Sequence, residues 1–479
     1  MQTLDLIVLF TYLIVVTGIA LLAGRKQTST RSYFLANRNL PWWMIMLSIV
    51  ATETSVLTFL SIPGVAYQTD LGFLQLAIGY ILGRWLVAKL LLPQYFKQGI
   101  ESTYEFIRNR WGSSVQRFTS LVFMITRILA DGVRLFITAI PLALITGWSY
   151  PVCIFVIGAF TLIYTLVGGI RSVIWADSLQ FGIYLVGASI GFWVLNSLVD
   201  GGWTAIFQAA NQAGKIQLFH MSVEEGVAGI LYHKYHFLTA VLGGMFLSLA
   251  SHGTDHLMVQ RIMAARDIKS GQKALVGSGI LVLLQFVLFL ILGVGLWVFY
   301  GGKEMKPDDV FSTFILNELP LGISGFIVAG IFSAAMSTLS SSINSLASST
   351  MTDWIKTAYP EKYNLMVSRL LSVFWAIVLI CGAILLSLFI SRDDPLVHKG
   401  LAIASFTYGG LLGFFVLGRM KRPFLPRSIM VGFFASLIIK IFVTSFTQIA
   451  WPWYTIIGVF TMMVVSYIAE SLLKTIRIT

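Results

Sequence analysis

The sequence predicts an all-α polytopic membrane protein of about 13 transmembrane helices. Three observations carry that prediction. Of the 479 residues, 57% are hydrophobic and 11% charged, with mean hydropathy +0.83, a balance suited to a lipid solvent. Apolar runs long enough to cross a bilayer recur over residues 4–24, 41–67, 71–96, 115–146, 150–168, 173–198, 237–261, 272–299, 321–352, 364–390, 398–418, 426–447 and 452–474. Finally, Lys and Arg gather on alternate connections. With the N-terminus outside, 22 of the 33 fall at cytoplasmic connections and six (Lys215, Lys234, Lys303, Lys306, Arg392 and Lys399) at external ones. A missed helix would scramble that asymmetry, so the expectation is thirteen spans in a cell (inner) membrane, N-terminus out and C-terminus cytoplasmic.

Composition also excludes several classes. Cys153 and Cys381 lie in apolar runs and offer neither a disulfide framework nor metal-ligand spacing. The net charge of +12 is the basic bias of cytoplasmic loops, so no nucleic-acid partner is expected. The first apolar run lacks a basic leader, which argues against a cleaved signal peptide. External segments 200–236, expected to hold a short amphipathic helix, and 301–320 are too short for a further domain. No phosphate loop, nucleophile–base pair or zinc spacing is present, so the expectation is no enzyme and no ATP-driven step.

Ionisable side chains inside a bilayer are costly, and each needs a partner or a task. In the second span, Ala51-Thr-Glu-Thr-Ser55 interrupts an apolar helix, and Pro63-Gly64 is expected to disturb it again. Glu53 in that patch either pairs with a buried Arg or serves a ligand. In the fourth span, Arg127, Asp131 and Arg134 share a face at spacings of four and three. They form either a self-neutralising network, which Arg84 of the third span could join, or a clamp. Gly168-Gly169 makes a tight cytoplasmic turn before the sixth span, where Asp177 stands as a lone carboxylate about a turn and a half into the apolar run.

The seventh span pairs His252 and His256 around Asp255 without a third metal ligand, and its Gly243, Gly244 and Gly253 mark a second interrupted helix. The ninth is the most distinctive. From Ser337 to Thr350, nine of fourteen residues are Ser or Thr, and Ser337, Ser340 and Ser341 share a face. Such hydroxyls either bond back to their own backbone and let helices pack closely, or replace the water shell of a hard cation. Their density, together with Asp177, favours a cation. Interrupted helices five spans apart are the signature of an inverted-repeat transporter, with spans 2–6 and 7–11 as the repeats.

The stretches Thr165–Asp177, Val259–Arg261 and Gly330–Asn344, with Ser61–Tyr67 and Leu91–Phe96, carry a resemblance over nearly the whole chain. The chain resembles the sodium:solute symporters, the family of bacterial sialic acid, sugar and proline symporters and of human sodium-coupled glucose, iodide and vitamin carriers. The resemblance implies a single transporter domain of leucine-transporter type, a five-plus-five inverted repeat with extra helices at both ends. On that reading 1–40 is a leading helix and loop, 41–198 repeat one, 237–418 repeat two, and 419–479 two additional helices. It also implies a first Na+ site at Ala51, Thr54, Ala334, Ser337 and Thr338, and a second at Asp177, Ser340 and Ser341, hence two ions.

By the same resemblance, solute contacts fall at Thr52, Glu53, Ser55, Thr58, Gln75, Asp131, Arg134, Ser248, Ser251 and His252. Glu53 is acidic where the sialic acid carriers have a hydroxyl, and Asp131 with Arg134 matches no established sugar or sialate pattern, so the solute is not transferred. The expectation is a sodium-coupled secondary active symporter, a monomeric functional unit in the lipid bilayer, importing a small polar solute such as a carboxylate or zwitterion by alternating access. The alternatives are proton coupling through Glu53 or Asp177, a sodium-coupled sugar or polyol carrier, and, from another class, a sensor or channel.

Overall fold

The structure, a computed structural model, describes residues 3–25, 27–221, 226–320, 322–387 and 396–478. Among them the secondary structure is helical, without strands, save one isolated bridge between Leu40 and Ala265. The principal helices are α1 (Thr3–Gly24), α2 (Trp42–Glu53), α3 (Val56–Gln68), α4 (Leu74–Leu90), α5 (Ser113–Thr146), α6 (Tyr150–Leu198), α7 (Phe237–Gly253), α8 (His256–Met263), α9 (Ile268–Phe299), α10 (Pro307–Asn317), α11 (Ile323–Ser349), α12 (Leu365–Leu386), α13 (Leu396–Arg419), α14 (Pro426–Phe446) and α15 (Trp453–Ile478). Among the described residues, eight helices are long and apolar enough to cross a membrane, or ten when each bent pair counts as one span. The 49-residue α6 is two arms joined at Gly169, and α5 and α13 occupy the fourth and eleventh expected positions.

Both expected interruptions exist. α2 and α3 meet at 61° across Thr54-Ser55, and α7 and α8 at 62° across Thr254-Asp255. The second break lies beyond the glycines that signalled it. Asp255 makes it, accepting the Leu257 amide at 3.0 Å as the N-cap of α8. Pro63-Gly64 does not break α3, which runs through both residues. These residues instead sit at close approaches, since a Cβ on Gly64 would lie 2.0 Å from the Pro307 carbonyl oxygen, and one on Gly293 would lie 2.0 Å from that of Pro63. Gly169, at φ 53° and ψ −145°, turns the chain inside α6 where the expected cytoplasmic turn falls.

The centre of the molecule is α11, buried continuously from Ile327 to Ser349. Small hydroxylated residues let α2, α5 and α6 pack close against it. Its N-terminus is tied to α1 by Asp5, whose Oδ1 accepts from the Gly322 amide at 2.9 Å, the Gly325 amide at 3.1 Å and the Ser324 hydroxyl at 2.8 Å. By contrast α12 and α14 present Met366, Leu370, Phe374 and Ile377, and Phe434, Ile438, Ile441 and Phe442, as exposed apolar stripes at helical spacing, the pattern of a lipid-facing surface. The segments expected to be external hold helices Gly202–Gln212, Gly226–Tyr232 and α10.

Candidate cation and solute site

The break after α2 leaves the carbonyls of its last turn without the donors a continuing helix would supply. Ala51 is among them, and the Ser55 amide turns back to the Glu53 carbonyl at 2.9 Å. Across from this turn, the Thr338 hydroxyl of α11 donates to the Ala334 carbonyl at 3.1 Å and to that of Thr52 at 3.4 Å. Ala51, Thr54, Ala334, Ser337 and Thr338 are all buried. Carbonyl and hydroxyl oxygens from two helices thus converge where the backbone is open. The Thr54 hydroxyl points away, donating to Gln285 of α9 at 2.9 Å.

Asp177, on the second arm of α6, is fully buried. Its Oδ2 accepts from the hydroxyls of Ser48 at 2.5 Å and Thr52 at 3.4 Å, and its Oδ1 from that of Ser337 at 2.7 Å. Arg261 of α8 lies 3.4 Å from Oδ2 and donates to the Ser341 hydroxyl. Ser341 also pairs with Thr52 at 3.1 Å. Three of the expected residues therefore sit elsewhere than their groupings suggested. Ser337 turns toward Asp177, Thr52 belongs to the carboxylate cluster, and the Ser340 hydroxyl bonds back to the Ser337 carbonyl at 3.1 Å.

A cavity of about 90 Å³ opens beside the α2–α3 break, lined by Glu53, Thr58, Arg134, Ser248, Ser251 and His252, with Phe73, Tyr80, Phe286 and Tyr408 as aromatic walls. Glu53 binds Arg84, which also donates to Ser278 at 2.7 Å, and His252 Nε2 lies 3.7 Å from the Glu53 carboxylate. Arg84 thus serves Glu53 and not the α5 cluster. In that cluster Asp131 lies 3.6 Å from Arg127 and 3.4 Å from Arg134, and accepts from Ser342 at 2.6 Å. Arg127 reaches on to Asp255 at 3.3 Å and Tyr408 at 3.1 Å. A narrower cavity, lined by Ser55, Asp131, Arg134, Ala334 and Thr338, shares Arg134 with the larger one. Gln75 lines neither. Its amide donates to the carbonyls of Tyr235 at 2.7 Å and Gly72 at 3.1 Å, fastening α4 to the segment that precedes α7.

Sequence reasoning missed Ser48, Gln285, Tyr408 and the placement of Arg261, and it named Arg127 and Asp255 without pairing them. Ser48 had a signal, one turn before Thr52 on the same face. Histidines 252 and 256 face different partners. His256 lies between Thr103 (3.1 Å) and Ser348 (3.1 Å), and His252 contacts Ser251 at 2.8 Å, so they form no metal pair.

A family model described as sodium:solute symporter family matches residues 33–439. The chain is 28% identical over 491 residues to the sodium/sialic acid symporter NanT of Aliivibrio fischeri, covering 98% of this chain and 94% of that protein. It is 29% identical over 458 residues to the human sodium/iodide cotransporter, covering 90% and 68%, and 27% identical over 485 residues to the sodium/sialic acid symporter SiaT of Proteus mirabilis, covering 97% and 94%. Among solved structures, the substrate-bound outward-open state of a Na+-coupled sialic acid symporter superposes with a TM-score of 0.88 at 27% identity, covering 98% of both chains.

Proposed function

The chain belongs to the sodium:solute symporter family, and on that premise we propose that it imports a small carboxylate with two sodium ions per solute by alternating access. The observation that carries this reading is the buried Asp177 carboxylate, which takes hydroxyls from α2 (Ser48) and α11 (Ser337) at once. A first ion lies among Ala51, Thr54, Ala334, Ser337 and Thr338, and a second at Asp177, Ser337 and Ser341, with Ser340 one turn along. An ion between α2 and α11 favours the conformation that joins them, because a ligand shifts an equilibrium by binding one state better. The inward gradient supplies the work, about 2.3 kcal/mol per charge per 100 mV.

The solute lies in the cavity between Glu53 and Arg134. Arg134, with 19% of its side chain exposed and its Asp131 contact at 3.4 Å, is the cation best placed to meet a carboxylate. Glu53, His252, Ser248, Ser251 and Thr58 meet its polar groups, and Ser55 and Asp131 frame the narrower cavity beneath. The names of relatives point the same way, since several are sodium-coupled carriers of sialic acid or monocarboxylates. The chain spans the inner membrane thirteen times, N-terminus outside, as repeats 41–198 and 237–418 with helices added at both ends, and acts as a monomeric unit.

The test is uptake of labelled sialic acid, lactate and a neutral sugar into proteoliposomes under an inward sodium, potassium or proton gradient. Sodium-driven uptake of a carboxylate is expected. Uptake driven by the proton gradient alone would assign the coupling to Glu53 or Asp177 as proton carriers, and uptake of the sugar alone would remove the role of Arg134.

A further inference from the structure

We propose that the Arg261 guanidinium is a tethered competitor for the second cation position, holding Asp177 until sodium displaces it and retaking the carboxylate as sodium leaves. This rests on the reading of Asp177, Ser337 and Ser341 as a sodium site. Arg261 is fully buried. Its Nη2 lies 3.4 Å from Asp177 Oδ2 and donates to Ser341 Oγ, and its Nε donates to Ser48 Oγ at 3.0 Å. These are oxygens that a sodium ion on Asp177 would use. Among the described residues, Asp177 is the one carboxylate within ion-pair distance of Arg261. One negative charge in a buried setting does not hold two cations side by side, because like charges repel most strongly where water is excluded.

The place of Arg261 in the chain makes the exchange mechanical. It sits on α8, the eight-residue half-helix beyond the 62° break, and Asp177, Ser48 and Ser341 belong to α6, α2 and α11. The guanidinium therefore ties one half of a broken helix to three other helices. Sodium on Asp177 releases that tie. When the ion departs, Arg261 takes its oxygens and prevents rebinding from the same side. Its fourth contact, from Nη1 to the Leu257 carbonyl at 2.5 Å, stays within α8 and gives the displaced side chain a partner. A purely structural ion pair makes the opposite prediction, since removing it would only loosen the oxygens around Asp177.

The test titrates sodium, with potassium balancing ionic strength, into purified full-length wild type, Arg261→Gln and Asp177→Asn, read by thermal shift. Amide exchange of α8 is followed in the wild type. With the competitor gone, Arg261→Gln binds the Asp177-dependent sodium at least about fivefold more tightly, the lower end of typical coupling between linked sites. In the wild type, sodium speeds exchange in α8. Sodium binding by Arg261→Gln at or below wild-type strength overturns the proposal, and so does unaltered or slowed α8 exchange. The second measurement decides alone if the variant does not fold. A wild type with no Asp177-dependent sodium binding refutes instead the sodium site on which the proposal rests.

Discussion

Ser337 donates its hydroxyl to Asp177 Oδ1 at 2.7 Å, while the next residue, Thr338, donates to the carbonyls of Ala334 and Thr52. Adjacent side chains on α11 thus face different parts of the site, and Ser337 stands at the boundary of both expected cation positions. Ser337→Ala should weaken both. Losing a hydrogen bond to a charged group costs about 1.5–3 kcal/mol, so the half-saturating sodium concentration for uptake should rise by roughly tenfold or more, with a lower Hill coefficient. Thr338→Ala should raise it while leaving the Asp177-dependent component of sodium binding in place. Equal Hill coefficients in the two variants would separate Ser337 from the second ion.

Arg134 borders both cavities, and its loss should act on the solute before the ion. Arg134→Ala should raise KM for a carboxylate by about 10- to 100-fold, the worth of a charged hydrogen bond, with sodium dependence retained. Arg134→Lys should recover part of that loss, since an ammonium keeps the charge but not the planar fork. Uptake at fixed sodium over a range of solute concentrations measures both. An unchanged KM in Arg134→Ala would place the carboxylate elsewhere in the cavity.

Much of this arrangement was legible because the bilayer makes polar residues conspicuous. Asp177 stands alone in an apolar run, the hydroxyl row of α11 has no counterpart elsewhere in the chain, and Ala51–Ser55 marks a true break. The illegible parts depended on direction and not on composition. Arg261 reads from sequence as one more cytoplasmic charge, and only the bend at Thr254-Asp255 carries it inward to Asp177. The glycines of α7 read as a break, whereas they are contact points. Gln75 has the chemistry of a solute ligand, yet its amide is consumed by the backbone of Tyr235 and Gly72.

The α4–α7 interface makes the role of those glycines testable. A Cβ on Gly79 would lie 2.3 Å from the Val241 carbonyl oxygen, and one on Gly244 would lie 2.4 Å from that of Leu76. Each glycine accommodates the other helix's backbone, so neither neighbour can yield by rotating a side chain. Gly244→Val should separate the helices and destabilise the protein by about 1–3 kcal/mol, the usual cost of overpacking. The reading is the thermal midpoint in detergent. Gly182→Ala, where a Cβ meets nothing within 4 Å, is the control and should leave the midpoint within error of wild type.

Glu53 and Arg84 allow structure and transport to be separated. Arg84 is fully buried, while 18% of the Glu53 side chain faces the cavity. Arg84→Met leaves the acid without its cation, and breaking a buried pair from one side costs about 3–5 kcal/mol. Glu53→Gln strands Arg84, though Ser278 still accepts from it at 2.7 Å, so the loss should be smaller. The double variant removes both charges and should recover most of the stability lost by Arg84→Met, giving a clear coupling in a double-mutant cycle of thermal midpoints. Transport should not recover with it, because the polar group that Glu53 presents beside His252 is altered in both variants that lack the acid. If the double variant regains uptake together with stability, Glu53 is a structural counter-ion to Arg84 and takes no part in binding the solute.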